Sequence, residues 1–137
     1  MPEKKTIERA LRDAREGKAP TTQAGEFVRE EMEHVREGKH GARNTKQAIA
    51  IGLSKARRAG VKLPAPGRGT SRRTRRKAAQ DTRAARRGGS RRRTSTRRSR
   101  ATTKALRREG HRAALKRALS RQAKSTARRR RRPSRSR

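Results

Sequence analysis

The sequence predicts a mainly α-helical protein in two parts. A small, marginally stable three-helix region covers residues 1–64, and a long disordered Arg-rich tail covers 65–137, with one basic helix at about 103–124. Three observations predict this. Only 26% of the 137 residues are hydrophobic and the formal net charge is +34, so there is little apolar surface to offset ordering entropy. Within the first 64 positions, apolar residues recur at three- and four-residue spacing, the period of an amphipathic helix. Charge also divides the chain near Pro64. Residues 1–64 hold fifteen Lys/Arg and nine Asp/Glu, whereas 65–137 hold thirty Lys/Arg against only Asp81 and Glu109.

The first helix is expected at about 3–16. Pro2 suits a helix start, Glu3 favours the positive end of the dipole, and Gly17 is a stop. Its apolar stripe is Ile7, Ala10, Leu11 and Ala14. The second is expected at about 22–37, capped by Thr21 or Thr22. Its stripe is Phe27, Val28, Met32 and Val35, its acidic outer face is Glu30, Glu31, Glu33 and Glu37, and Gly38 ends it. The third is expected at about 45–59, capped by Asn44 or Thr45 and stopped by Gly60, with Val61 placed for the apolar contact of a Schellman motif. Gly52 lies inside it, where a glycine lets another backbone approach closely. "REGK" occurs at 15–18 and 36–39, each time at an expected helix end. Phe27 is the one aromatic. So sparse a set of large apolar side chains predicts a marginal bundle that a partner completes.

The run "TKQAIAIGLSKARRAGVKLP", with "QAGEFVREEMEHVREGKHGAR" before it, resembles a family of small basic bacterial proteins known as a domain of unknown function. The resemblance covers about residues 1–64, and "KQAIAIGLSKAR" is its most specific block. It implies a bacterial source and brings no activity with it.

Beyond "PAPGRGT" (64–70), which reads as the joint, residues 65–100 are built from Arg, Ser, Thr, Gly and Ala, and no fixed structure is expected. "TKALRREGHRAALKRALSRQAK" (103–124) carries a thin apolar side of Leu106, Ala113, Ala114, Leu115, Ala118 and Leu119, interrupted by Gly110. Like charges three and four apart resist such a helix unless a polyanion is present. The tail holds four Lys and twenty-six Arg. Arg presents a planar fork that meets phosphate bidentately.

A block of like charge is an interaction arm, and nucleic acid is its commonest anionic partner. The expected function is non-enzymatic, sequence-tolerant DNA binding of a nucleoid-associated, histone-like kind. The candidate phosphate contacts are Arg72, Arg73, Arg75, Arg76, Arg91, Arg92, Arg93, Arg97, Arg98, Arg128, Arg129, Arg130, Arg131 and Arg132. Fully extended, the tail would reach over ~240 Å. Self-association through the three helices is a further expectation. Two alternatives stand beside this one: an RNA- or ribosome-associated basic protein, and a structural adaptor using the acidic face of the second helix.

Other chemistry finds little support. There is no cysteine, which excludes disulfides and cysteine metal sites. Glu30 and His34 stand one helical turn apart, which reads as a surface pair rather than a metal site, and no HExxH is present. "GKHGARNTK" does not fit the phosphate-loop pattern, and nothing marks a nucleophile with its base. "PAPGRGTSRR" has the Gly-Arg core of an AT-hook without the proline that should follow. Helix three as a groove reader is disfavoured by the long 38–44 connection. Ser95 and Ser99 lie among arginines, where phosphorylation would cancel charge. No cofactor, no small-molecule substrate and no membrane partner are expected. The longest apolar run, "AIAIGL" (48–53), is far short of the ~20 residues that span a bilayer. A cytoplasmic, nucleoid location is the corresponding expectation.

Overall fold

In the structure, a computed structural model describing residues 2–87 and 95–131, the described chain is mainly helical, with no strand among the described residues. The order is α1 (Lys4–Arg15), α2 (Pro20–Arg36), α3 (Thr45–Arg58), α4 (Arg72–Arg86), α5 (Thr96–Arg108), a 3₁₀ turn (Arg112–Ala114) and α6 (Lys116–Arg131).

The first three helices end and begin much as local chemistry dictates. Gly17, Gly38 and Gly60 all have positive φ, at 72°, 76° and 100°. Each closes a Schellman pair of backbone bonds: Gly17 N–H to Ala14 O and Lys18 N–H to Asp13 O, and the same pattern at Gly38/Lys39 and Gly60/Val61. The two "REGK" segments are therefore two helix stops of one chemistry. In each, the lysine also pairs with the glutamate two residues before it, Lys18 with Glu16 at 2.7 Å and Lys39 with Glu37 at 3.2 Å. Asn44 caps α3 by accepting from Gln47 N–H at 2.9 Å. α2 starts two residues earlier than expected, because Pro20 occupies its first turn.

α3 is the centre of the molecule, with α2, α4, α6 and the 3₁₀ turn packed around it. A Cβ on Gly52 would stand 2.7 Å from Val28 Cα, so α2 and α3 touch backbone to backbone there. Two small cores flank this crossing. One holds Ala10, Ala24, Phe27 and Ala56, with Leu53, Val61 and Leu63 against it. The other holds Met32, Val35, Ala42, Ala48, Ala113 and Ala114, with Val28, Ile49 and Leu119 against it.

Two expectations about the N-terminal part fail. α1 buries Thr6, Ala10 and Asp13, while Ile7 is 36% and Leu11 52% exposed and Ala14 is also exposed. Polar contacts fix its rotation: Glu3 N–H donates to Glu30 Oε1 at 3.1 Å, and Arg9 pairs with Glu26 at 3.6 Å. Half of the acidic face of α2 is not solvated either, while Glu33 and Glu37 stay at the surface. Glu30 and Glu31 are 3% and 0% exposed.

The larger correction concerns the tail. Residues 72–86 and 96–100, where no fixed structure is expected, are helical, and the single helix expected at 103–124 is broken at Glu109–Leu115 into α5, the 3₁₀ turn and α6. Small anchors hold these pieces to the bundle. Ala78 and Asp81 of α4 are buried against α3. Ala113 and Ala114 enter the second core, with their carbonyls accepting from Thr45 Oγ1 at 2.6 Å and Arg36 Nε at 3.1 Å. Gly41 N–H donates to Leu106 O at 2.8 Å and Ala42 N–H to Gly110 O at 3.1 Å. A Cβ on Gly41 would lie 1.9 Å from Glu109 O, so only glycine admits this segment. The chain's own C-terminal half thus supplies part of the core that the first half lacks. It also shortens the tail's reach, since a helix rises about 1.5 Å per residue and α4 is only about 22 Å long.

Candidate nucleic-acid interface

The C-terminal helices divide their residues by sign. α4, α5 and α6 carry seven, six and eight Lys/Arg, against one Asp on α4 and no acid on the other two. On α4, Asp81 faces α3, and the residues roughly opposite it in helical phase are Arg72, Arg76 and Arg83, all exposed. On α5, Arg97, Arg100, Lys104 and Arg108 follow three- and four-residue spacing and share an exposed face. On α6, Arg117, Arg121, Lys124, Arg128 and Arg131 do the same.

Of the arginines singled out by the sequence, Arg72, Arg73, Arg75, Arg76, Arg97, Arg98, Arg128, Arg129, Arg130 and Arg131 are all exposed, on three separate helices. Arg91, Arg92, Arg93 and Arg132 lie outside the described residues. Among the described residues, the ion pairs that reach α4–α6 are those of Asp81, to Arg58 at 2.8 Å and Lys77 at 2.6 Å. Sequence reasoning missed Arg117, Arg121 and Lys124. Their spacing with Arg128 is readable, but a helix ending at 124 separates them from it.

Electrostatics sharpen at the helix starts. The first turns of α4 and α5 contain no acid, and Arg72, Arg73, Arg97 and Arg98 lie at the positive ends of the dipoles. Ser71 caps α4 by accepting from Thr74 N–H at 3.2 Å, whereas Ser95 makes no such bond on α5. These ends favour an anion. Ser71 also draws the end of "PAPGRGTSRR" into α4, and the Gly67-Arg68 core before it lies in a turn closed by Thr70 N–H to Gly67 O at 3.0 Å.

Asp81 is the hinge pin of this surface. It is 1% exposed and accepts from Ser54 Oγ at 2.7 Å as well as from Arg58 and Lys77. Burial pushes its carboxyl up, but the hydrogen bonds from Lys77, Ser54 and Arg58 outweigh that and hold it below the ordinary range.

A second cluster lies between α2, the 38–44 loop and α3, where the sequence suggests only a surface pair of Glu30 and His34. Glu31 bonds the ammonium of Lys55 through Oε1. His40 Nε2 stands 3.1 Å from Glu31 Oε2, and His34 Nε2 stands 3.0 Å from Glu3 Oε1. Glu3 lies below the ordinary carboxylate range because His34 and then Lys39 hydrogen-bond to it.

The arrangement defines an all-helical, strongly basic protein with an inward-facing acidic cluster. Residues 3–68 match the model of a family of unknown function (DUF6496), which bears out the resemblance read from residues 1–64. No curated protein and no solved structure matches the chain. No helix among the described residues is long and apolar enough to cross a membrane.

Proposed function

We propose that this protein binds nucleic acid, duplex DNA foremost, through sequence-tolerant phosphate contacts made by α4, α5 and α6. The observation that carries the reading is the set of exposed arginine faces with no carboxylate to neutralise them. Each face sets like charges at three- and four-residue spacing, at a cost of a few tenths of a kcal/mol per pair in isolation. A polyphosphate removes that repulsion and adds bidentate contacts. Phosphate contacts position a protein without reading bases. α3 is poorly placed to read them, because neighbours surround it and Ala48, Gly52 and Ala56 are buried.

The adaptor alternative keeps Glu33 and Glu37 as its acidic surface, since Glu30 and Glu31 are turned inward. A gel-shift series at rising salt tests the proposal. Six to ten phosphate contacts predict a loss of about 10³–10⁵ in affinity between 50 and 200 mM salt. A flat response ends it. Competition by structured RNA at equal nucleotide concentration decides between DNA and RNA, and stronger competition by RNA would move the function to the RNA-associated alternative.

A further inference from the structure

We propose that Glu31, His34 and His40 form a binding site for a divalent transition metal of the zinc class. One donor atom from each lies within 4.8 Å of the others. Ligand atoms around a tetrahedral Zn²⁺ at 2.0–2.1 Å are roughly 3.3 Å apart. The His40–Glu31 pair, at 3.1 Å, already has that spacing. His34 Nδ1 is 3.9 Å from Oε1, the neighbouring oxygen of the same carboxylate, so reaching a metal on Oε2 takes a further turn of its ring.

Hydrogen bonding fixes which nitrogens face inward. His40 Nδ1 lies 3.1 Å from Gly41 O, and a carbonyl only accepts, so Nδ1 carries the proton. His34 Nε2 lies 3.0 Å from Glu3 Oε1, a carboxylate that likewise accepts, so Nε2 carries the proton there. In its neutral form each ring then turns a lone pair towards Glu31: His40 through Nε2 and His34 through Nδ1. Such carboxylate and carbonyl partners are the usual outer shell of metal-bound histidine.

Glu31 supplies the independent observation. It is 0% exposed, and its Oε2 has no hydrogen-bond partner. The His40 ring nitrogen is close to it without meeting the geometry of a hydrogen bond. A buried carboxylate oxygen facing an imidazole lone pair requires a cation between them. Lys55 occupies the other oxygen, Oε1, and leaves Oε2 to the metal. Two imidazoles with one carboxylate select zinc, cobalt, nickel or iron over magnesium.

The test uses the full chain, stripped with chelator and titrated with Co²⁺ while its visible absorption is followed. One equivalent should bind, Zn²⁺ should displace it, and Mg²⁺ should not. His40→Ala and His34→Ala should each weaken uptake by on the order of tenfold or more, and Glu3→Gln by about tenfold through the outer shell. His111→Ala, at the remaining histidine, should change nothing. Should a histidine variant lose its helical circular dichroism, Lys55→Met carries the test: removing the positive charge beside Glu31 should tighten Co²⁺ binding about tenfold. Absence of saturable one-to-one uptake in the wild type would overturn the proposal, as would equal uptake of Mg²⁺. Uptake indifferent both to the folded histidine variants and to Lys55→Met would do the same, leaving a protonated histidine as the cation in the gap.

Discussion

The two halves of the molecule use charge in opposite ways. In α1–α3, three carboxylates turn inward. Glu30, Glu31 and Asp13 are buried, and ammonium or imidazole groups stand beside them. In α4–α6 the bases turn outward, and the one buried acid, Asp81, serves to attach α4 to α3. Burying a charge is tolerated only when it is paired and hydrogen-bonded. The N-terminal half meets that condition only in part, since Oε2 of Glu30 and of Glu31 find no hydrogen-bond partner among the described residues, while the C-terminal half leaves its cations for a ligand. The same sequence thus separates a charge-paired scaffold from a charge-unpaired surface, and the seams between them are few and small.

The largest effect should come from breaking the seam at Gly41. Gly41→Val places atoms where Glu109 O already stands, 1.9 Å from the ideal Cβ. We expect a loss of about 3–5 kcal/mol, in the range of the most disruptive single changes. Alternatively the 106–114 segment detaches, and Ala113 and Ala114 leave the core. Urea denaturation distinguishes the outcomes: the first lowers the midpoint at constant slope, and the second lowers the slope as well.

Next in size is the unpaired surface. Replacing Arg128, Arg129, Arg130 and Arg131 together by Ala should leave stability nearly unchanged, because all four side chains are exposed. It should reduce the dependence of log K on log salt by up to about 0.9 for each phosphate that these arginines neutralise. An unchanged slope would remove the end of α6 from the interface.

Gly52→Ala sharpens the comparison from the scaffold side. The added methyl would meet Val28 Cα at 2.7 Å, and backbone cannot step aside as a flexible side chain can. Forcing α2 and α3 apart should cost about 1–3 kcal/mol. Helix propensity alone would predict the opposite sign, since Ala is favoured over Gly by about 1 kcal/mol. The sign of the change in thermal midpoint decides which effect wins.

What could be read in advance follows from range. Gly17, Gly38, Gly60 and the Asn44 cap are requirements of four or five consecutive residues, and each stands where the sequence places it. Gly52 was legible for the same reason, as a residue whose local cost asks for a packing explanation. The rotation of α1 was not legible, because contacts made by Glu3 and Arg9 with α2 override an apolar stripe of only two large residues. The tail helices were missed because their anchors are alanines and one aspartate, which a count of large hydrophobic residues passes over. Of the candidate interface, charge gave the residues but not their faces. Of the histidine–glutamate cluster only the Glu30–His34 pair could be read, since Glu3, His40 and Lys55 join Glu31 and His34 only once α1, α2 and α3 are packed.

The smallest effect, and the one that touches both halves at once, belongs to Asp81→Asn. The amide keeps the shape but has no negative charge and only one accepting oxygen to offer Arg58 and Lys77, both more than half exposed. Those partners turn to water, so the loss should be about 1–2 kcal/mol rather than that of a stranded buried charge. The pH dependence follows from the carboxyl's lowered position in the fold. A carboxyl that holds its proton less tightly when folded stabilises the protein above its unfolded pKa, for which 3.8 is the ordinary value, and the contribution disappears as pH falls through the still lower folded value. Wild type and Asp81→Asn should therefore differ in thermal midpoint at pH 6 and converge on acidification below about 4. A difference that persists undiminished at low pH would mean that Asp81 acts through its shape, and that the attachment of the basic helices to the scaffold is not an electrostatic one.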